Sequence, residues 1–246
     1  MKKSIYLLAI TVVTVICVVW GTAMHTAGHY YEIFQFGVEA EEYTNSYELE
    51  AFDTIVVDVD VMELEIKQGT EFGLQYNCTE DLIPEYSVVD GKLTINQRQK
   101  KNYLFGTHRC FVAVIIPSGT SLKSIDINSD VGDVTLNRIT ADICNGEISV
   151  GDFTVENGDI REMVWSSDTG DIKVLDSTFT NLDLTSNVGD VKIESRQKLT
   201  DYNFDLKTDV GEVKLNGEEY GRKCIVHGES GSITVRADVG DVKVED

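Results

Sequence analysis

The chain has 246 residues, with 42 Asp and Glu against 21 Lys and Arg, so its formal net charge is −21. Such an acidic surface repels nucleic acid and anionic lipid headgroups, so we expect no nucleic-acid partner. With only two prolines and 42% hydrophobic residues, the chain can build one folded domain of ordinary size.

An uncharged and largely apolar run, residues 4–24, directly follows Lys2 and Lys3. It matches the roughly 20 residues that a transmembrane helix needs and exceeds the apolar core of a signal peptide, about 7–15 residues. The two lysines favour a cytoplasmic N-terminus, which places the chain after residue 24 outside the cell. We therefore predict that residues 1–24 are a cytoplasmic tip and transmembrane signal anchor of a single-pass cell-membrane protein. Cleavage stays open, because Gly21-Thr22-Ala23 offers a small-residue signal-peptidase site.

Residues 25–50 combine aromatic side chains just beyond the apolar run with several glutamates further on. Aromatic residues such as Tyr30 and Phe34 favour the membrane interface. We predict that residues 25–50 are an acidic juxtamembrane linker.

From residue 51 onward, apolar and polar residues alternate with a period of two. The first such run is Thr54–Val61, and others follow at 72–77, 86–89, 92–97 and 110–116. Asp90-Gly91, between two of these runs, is typical of a hairpin turn. No sustained 3.6-residue period appears, so residues 51–246 are predicted to form an extracellular all-β domain.

A short turn motif recurs between residue 121 and the C-terminus. The motif begins with Asp or Asn, then any residue, then Gly and an acidic residue. Two aliphatic residues separated by one polar residue follow, as in the stretch from Asp168 to Val174. Related turns are centred on Gly132, Gly189, Gly211 and Gly240, and shorter copies on Gly146, Gly158 and Gly231. The glycines at 170, 189, 211 and 231 are 19, 22 and 20 residues apart. A repeat of about 20 residues cannot bury its own apolar face, so it predicts the stacked coils of a β-solenoid, or β-helix.

Stacked coils require rows of inward-facing aliphatic side chains. The predicted pairs are Val134/Leu136, Ile172/Val174, Val191/Ile193, Val213/Leu215, Ile233/Val235 and Val242/Val244, with Leu182/Leu184 and Phe204/Leu206 on a second strand of the coil. The outward positions between them hold Thr135, Lys173, Lys192, Lys214, Thr234 and Lys243, which we interpret as a charge ladder beside the acidic turns.

Several of these segments resemble one known family. The segment Val112–Pro117, then Ser124–Ile127, then the repeated Gly-Asp-Val/Ile turns are similar to the bacterial β-strand-repeat family of adhesin-type domains of unknown function. The upstream segments Phe52–Val59 and Asp90–Ile95 match its first half. The resemblance implies a right-handed β-solenoid on a bacterial surface. Several members are membrane-anchored and encoded with cell-envelope stress systems that answer antimicrobial peptides, and no catalytic residues are established for the family.

Two series of carboxylates recur at fixed positions of the turn. The candidate calcium ligands are Asp130, Asp133, Asp168, Asp171, Asn187, Asp190, Asp209, Glu212, Asp238 and Asp241. Oxygen ligands close together on adjacent strands suit calcium, although ordinary solvated turn residues explain the same pattern. We expect no other cofactor.

Four cysteines, Cys78, Cys110, Cys144 and Cys224, lie in the region predicted to be extracellular, where disulfides can form. A Cys78–Cys110 disulfide is the most economical pairing, because both lie in the first half of the domain. Four free, buried thiols are the alternative.

No catalytic motif stands out in the predicted domain. His108 and His227 lie in no recognisable nucleophile motif, and there is no phosphate-binding loop. We therefore expect a non-enzymatic binding or sensing module, held in the membrane by its N-terminal helix, with cationic peptides or another envelope protein as partners. An adhesin-like structural domain that binds glycan or another cell is the alternative, and a carbohydrate-active enzyme is the remote one.

Overall fold

The computed structural model describes residues 42–98 and 109–246. These residues belong to a compact unit that spans Ala40–Asp246. Within them the structure contains twenty strands and one single-turn 3-10 helix, Glu80–Leu82, so the all-β prediction is confirmed. No helix in the described ranges is long and apolar enough to span a bilayer. The predicted anchor, residues 1–24, lies outside them.

The first seven strands build one end of the domain. They are β1 (Glu42–Glu48), β2 (Thr54–Val61), β3 (Glu63–Gly69), β4 (Gly73–Thr79), β5 (Glu85–Val89), β6 (Lys92–Gln97) and β7 (Cys110–Pro117). β5 and β6 form an antiparallel hairpin, and its turn residues Asp90 and Gly91 have φ of 50° and 75°. The predicted hairpin is therefore confirmed.

The middle of the chain consists of regularly stacked parallel strands. They are β8 (Ser121–Val131), β9 (Val134–Asn137), β10 (Thr140–Val150), β11 (Phe153–Glu156), β12 (Asp159–Thr169), β13 (Ile172–Val188) and β14 (Val191–Ser195). One sheet, called sheet B, contains β8, β10, β12 and the second part of β13. The other, sheet A, contains β9, β11, the first part of β13 and β14. Residues in register are 19 positions apart, as in Thr140 beside Asp159.

The last strands do not stack in sequence order. They are β15 (Asn203–Val210), β16 (Val213–Leu215), β17 (Glu218–Glu219), β18 (Lys223–Val226), β19 (Ser232–Val239) and β20 (Val242–Glu245). β19 pairs with both β13 and β15, and β20 pairs with both β14 and β16. The C-terminal strands are thus inserted between two earlier layers. At the other end β2 similarly lies between β6 and β8, and β3 between β7 and β9.

The inward-facing side chains of both sheets form one hydrophobic cluster. Every predicted inward pair is buried. Ile233 and Val235 belong to sheet B rather than to the row that follows the turns, because Ser232 is in register with Asn181 and Asn203. The right-handed solenoid stays a prediction, since only the middle strands follow a simple repeat.

Three sequence assignments need correction. Residues 42–48, predicted as linker, form β1, an antiparallel partner of β4 that the sequence conceals because most of its side chains are exposed. Gly146 lies inside β10, where its missing side chain admits the ring of Trp165; a Cβ there would lie 2.4 Å from that ring. Gly158 and Gly231 precede strands of sheet B, not of sheet A.

Candidate functional site at the acidic corner

The repeated turns stack where strands of sheet B pass into strands of sheet A. Their glycines, in spatial order, are Gly132, Gly151, Gly170, Gly189, Gly240 and Gly211. All six have φ between +129° and +151°. At Gly170, a Cβ atom would lie 2.0 Å from the carbonyl oxygen of Gly151, so glycine alone satisfies both the backbone conformation and the contact. We call this stack of six turns the acidic corner.

The carboxylates that follow the glycines form an inner acidic row. Each Asp in it accepts, through Oδ1, a hydrogen bond from the backbone N–H at the same position of the next turn. The acceptor and donor residues are Asp133 and Asp152 (2.8 Å), Asp152 and Asp171 (2.9 Å), Asp171 and Asp190 (2.9 Å), Asp190 and Asp241 (2.7 Å), and Asp241 and Glu212 (2.9 Å). These charge-assisted bonds offset the repulsion between carboxylates on neighbouring strands.

The ionisation of Asp171 shows how the inner row is held. Partial burial favours the neutral acid, but the N–H of Asp190 and the ammonium group of Lys173 outweigh burial, so the pKa of Asp171 is lowered. Lys173 Nζ lies 3.0 Å from Oδ2 of both Asp171 and Asp152. Burial opposes the charge of Lys173, but these two carboxylates raise its pKa. Asp171 is therefore held as the ionised carboxylate by partners within the corner.

A second, outer acidic row lies two positions before the glycines. In spatial order it consists of Asp130, Ser149, Asp168, Asn187, Asp238 and Asp209, and all except Ser149 are exposed. Asn187 Nδ2 donates to Asp168 Oδ1 at 2.9 Å, and Lys207 pairs with Asp209 at 2.6 Å and lowers its pKa. Within the described part of the chain, Asp130 and Asp238 have no ion-pair partner.

The ten predicted calcium ligands are thus brought to one corner, in two rows separated by the glycines and the residues before them. In the inner row, the Asp Oδ1 atoms already accept backbone N–H groups. Across residues 42–98 and 109–246, no three Asp, Glu, His or Cys side chains are grouped so that they could hold a metal ion.

A sequence profile of one domain family matches residues 52–245. The chain belongs to the Toastrack DUF4097 family. The Toastrack domain is similar in structure to a candidate cell adhesion protein from Clostridium sporogenes, with a TM-score of 0.53 and 16% identity over 83% of this chain and 98% of that one. A candidate adhesin from Bacteroides fragilis matches with a TM-score of 0.44 and 16% identity over 82% of this chain and 96% of that one. No protein with curated annotation matches the sequence.

Sequence reasoning missed one turn of the Toastrack domain. Ser149-Val150-Gly151-Asp152 has Ser in place of the first Asx and is followed by Phe153, so it does not fit the motif. Its signal was the spacing, because Gly151 lies 19 residues after Gly132 and 19 before Gly170.

Buried hydroxyl groups behind the corner were also missed. Ser167 Oγ donates to the carbonyl of Gly170 at 3.3 Å, and Ser186 Oγ to that of Gly189 at 3.2 Å. Thr208 Oγ1 donates to the carbonyl of Gly240 at 2.7 Å. These bonds satisfy backbone oxygens of the turns at the point where each strand leaves the core.

Four lysines of the Toastrack domain line up beside the inner row. On sheet A, Lys173, Lys192, Lys243 and Lys214 occupy successive rungs. Lys192 pairs with Glu194, Lys243 with Glu245, and Lys214 with Glu212 and Glu219. These contacts agree with a charge ladder, whereas Thr234 lies on sheet B. A row of four lysines therefore runs beside the inner row on sheet A.

One of the cysteines, Cys110, lines a cavity at one end of the acidic corner together with Val131 and Gly132. Cys78 and Cys110 face each other on β4 and β7 and are joined by a disulfide, with the two sulfurs 2.17 Å apart. Cys144 and Cys224 are free and buried. Burial raises the pKa of both thiols, so neither is poised as a nucleophile.

Proposed function

We propose that this chain is a membrane-anchored cell-surface module that binds or senses cationic partners non-covalently, in the response to cell-envelope stress. In this proposal residues 1–24 hold the chain in the membrane with a cytoplasmic N-terminus, and the β domain lies outside. Its partners are cationic peptides or a basic surface of another envelope protein.

The exposed outer acidic row is the observation that carries this proposal. Each Asp of the inner row accepts a backbone amide through Oδ1, whereas Asp130, Asp168 and Asp238 face solvent and have no ion-pair partner among the described residues. With 42 acidic against 21 basic residues, the field around the domain attracts cations and repels nucleic acid and anionic lipid.

An adhesin-like structural domain that binds a glycan or another cell is the second candidate. The names of the Clostridium sporogenes and Bacteroides fragilis relatives support it. Sugar sites generally use exposed aromatic rings, whereas the outer acidic row and the positions beside it contain none. Salt-insensitive binding to cell-wall glycan would favour this candidate.

The test is the binding of a fluorescent lysine-rich peptide to the full chain in nanodiscs of zwitterionic lipid, with empty nanodiscs as the blank. We expect saturable binding at ~0.02 M NaCl that is largely lost at ~0.2 M, because salt screens exposed charges. Absence of binding at the lower salt concentration would contradict the proposal.

A matched pair of variants locates the binding. Asp130→Asn, Asp168→Asn and Asp238→Asn together neutralise the outer row, and Glu50→Gln, Glu71→Gln and Glu85→Gln remove the same charge elsewhere. We expect the first set to weaken binding about tenfold and the second about twofold, since exposed charge pairs contribute about 0.2–1 kcal/mol each. Equal weakening would show that net charge, not the row, attracts the peptide.

A further inference from the structure

A continuous row of exposed β-branched side chains runs along the acidic corner. Its members, in spatial order, are Val131, Val150, Thr169, Val188, Val239 and Val210. The five valines are 44–58% exposed. We call this row the valine ridge.

The valine ridge lies outside the core. This is unexpected from strand alternation, because its residues occupy the same alternating positions as the buried side chains of their strands. On β12, Trp165 and Ser167 are buried, but Thr169, two positions on, is exposed because the chain turns at Gly170. The core therefore does not require an apolar side chain at this position. Five of the six ridge positions nevertheless carry valine, and Thr169 at the remaining position shows that threonine fits.

Acidic rows flank the valine ridge on both sides. The outer row precedes each ridge residue, and the inner row follows two positions after it, as Asp168 and Asp171 do around Thr169. Six rungs at about 4.8 Å make the ridge about 24 Å long. An apolar strip with a charged rim is typical of an interaction surface.

We propose that the valine ridge is the docking surface for an amphipathic cationic segment whose apolar stripe is flanked by Lys or Arg. The inference rests on the proposed function and specifies its site and partner. The apolar stripe covers the valines. The flanking cations reach the outer carboxylates on one side and, on the other, the Oδ2 atoms of Asp133, Asp190 and Asp241 in the inner row, whose Oδ1 atoms accept the backbone amides. A helix of about 16 residues matches the length of the ridge.

Charge complementarity selects this occupant over two others. A second copy of the chain would bring identical acidic rows into contact, and an anionic lipid surface would place like charges together. A peptide that is cationic but not amphipathic would pair with the acidic rows on either side but leave the valines exposed to water.

The test compares two fluorescent peptides of about 16 residues with the same leucine and lysine content. One has a single apolar stripe when helical, and the other has the same residues in scrambled order. Both are titrated into the full chain in zwitterionic nanodiscs, with empty nanodiscs as the blank. We expect the striped peptide to bind about tenfold more tightly, because only its apolar face buries the ridge.

Matched variants assign that preference to the ridge. Val150→Thr, Val188→Thr and Val239→Thr together keep shape and β-branching and imitate the natural Thr169, so the fold should persist. The control set Val89→Thr, Val164→Thr and Val226→Thr changes exposed valines elsewhere. We expect the ridge set to remove most of the preference for the striped peptide and the control set to retain it.

Each other outcome overturns a defined part of the account. Equal affinity of the native chain for both peptides, or a preference that survives the ridge substitutions, overturns the ridge as docking surface and leaves the cationic-partner function intact. Failure of both peptides to bind at low salt overturns the function as well.

Discussion

Gly170 shows how tightly single residues constrain the acidic corner. Its φ is +138°, and a Cβ would lie 2.0 Å from the carbonyl oxygen of Gly151. Gly217 also has a positive φ, +81°, but nothing lies within 4 Å of its Cβ position. Comparing substitutions at Gly170 and Gly217 therefore distinguishes the cost of backbone strain from the cost of steric contact.

We expect Gly170→Ala to lower the free energy of unfolding by roughly 3 kcal/mol or more, because positive-φ strain and overpacking act together. Gly217→Ala should lower it by about 1–2 kcal/mol, since only the strain remains. Urea unfolding of the two variants measures the difference. Equal losses would mean that neighbouring turns are not in close contact.

The lowered pKa of Asp171 makes the stability of the fold depend on pH. The pKa of this carboxyl in the folded protein lies below the unfolded reference of 3.8. The ionised carboxylate therefore stabilises the fold above that reference, and the contribution is lost as pH falls through the lower, folded pKa.

We expect Asp171→Asn to make the acid loss of stability less steep, while a side-chain oxygen remains to accept the bond from Asp190. Asp176→Asn removes the same charge at the opposite corner and is the control. Urea midpoints from pH ~6 to ~2.5 provide the measurement. An unchanged slope in Asp171→Asn would contradict the assigned role of the ionised side chain.

At this scale the sequence predicted the composition of the corner but not its bonding. Recurrent glycines and carboxylates were visible, and so was their common phase. The hydrogen bonds between successive carboxylates and amides could be predicted only from the register of neighbouring turns. That register was hidden because Ser149 replaces the usual Asp or Asn before Gly151.

At the scale of elements, the inserted pair β19 and β20 is the main departure from sequential stacking. β19 pairs with β13 on one side and with β15 on the other, so in the strand pairings of the described residues β15 and β16 join the earlier coils through β19 and β20. The last strands of the chain therefore stack in an order that differs from their order in the sequence.

We expect a chain that ends at His227 to lose ordered structure in residues 203–226 as well, because an internal layer has been removed. Hydrogen exchange measured by mass spectrometry should show rapid exchange there and retained protection in residues 121–150. Retained protection of residues 203–226 would indicate that β15 can stack directly on β13.

The 19-residue spacing fixes which residues of the middle strands are neighbours, but the sequence prediction used the glycines at 170, 189, 211 and 231 and missed the turn at Gly151. The insertion was not predictable, because β15 and β19 alternate alike and either could stack on β13. Their glycines, Gly211 and Gly240, lie 22 and 51 residues after Gly189, and sequence distance alone favours the wrong neighbour.

At the scale of the whole molecule, some carboxylates are partnered within the fold and others are left exposed to solvent. Backbone amides, together with Lys173 and Lys214, partner the inner row, while the outer row and the valine ridge face solvent. The net charge of −21 was evident from composition, but this division depends on the strand register. The resulting acidic corner, within the described residues, combines exposed carboxylates with an apolar strip, the valine ridge.

The central claim is that the acidic corner is held by its own backbone and left open to a cationic partner. It is tested most directly by thermal unfolding of the full chain in nanodiscs with calcium, with EDTA, or with the striped lysine-leucine peptide, at low and moderate salt. We predict a rise of several degrees in Tm with the peptide at low salt that moderate salt abolishes, and no shift with calcium or EDTA. A rise with calcium and none with the peptide would contradict the account and identify the turns as metal sites.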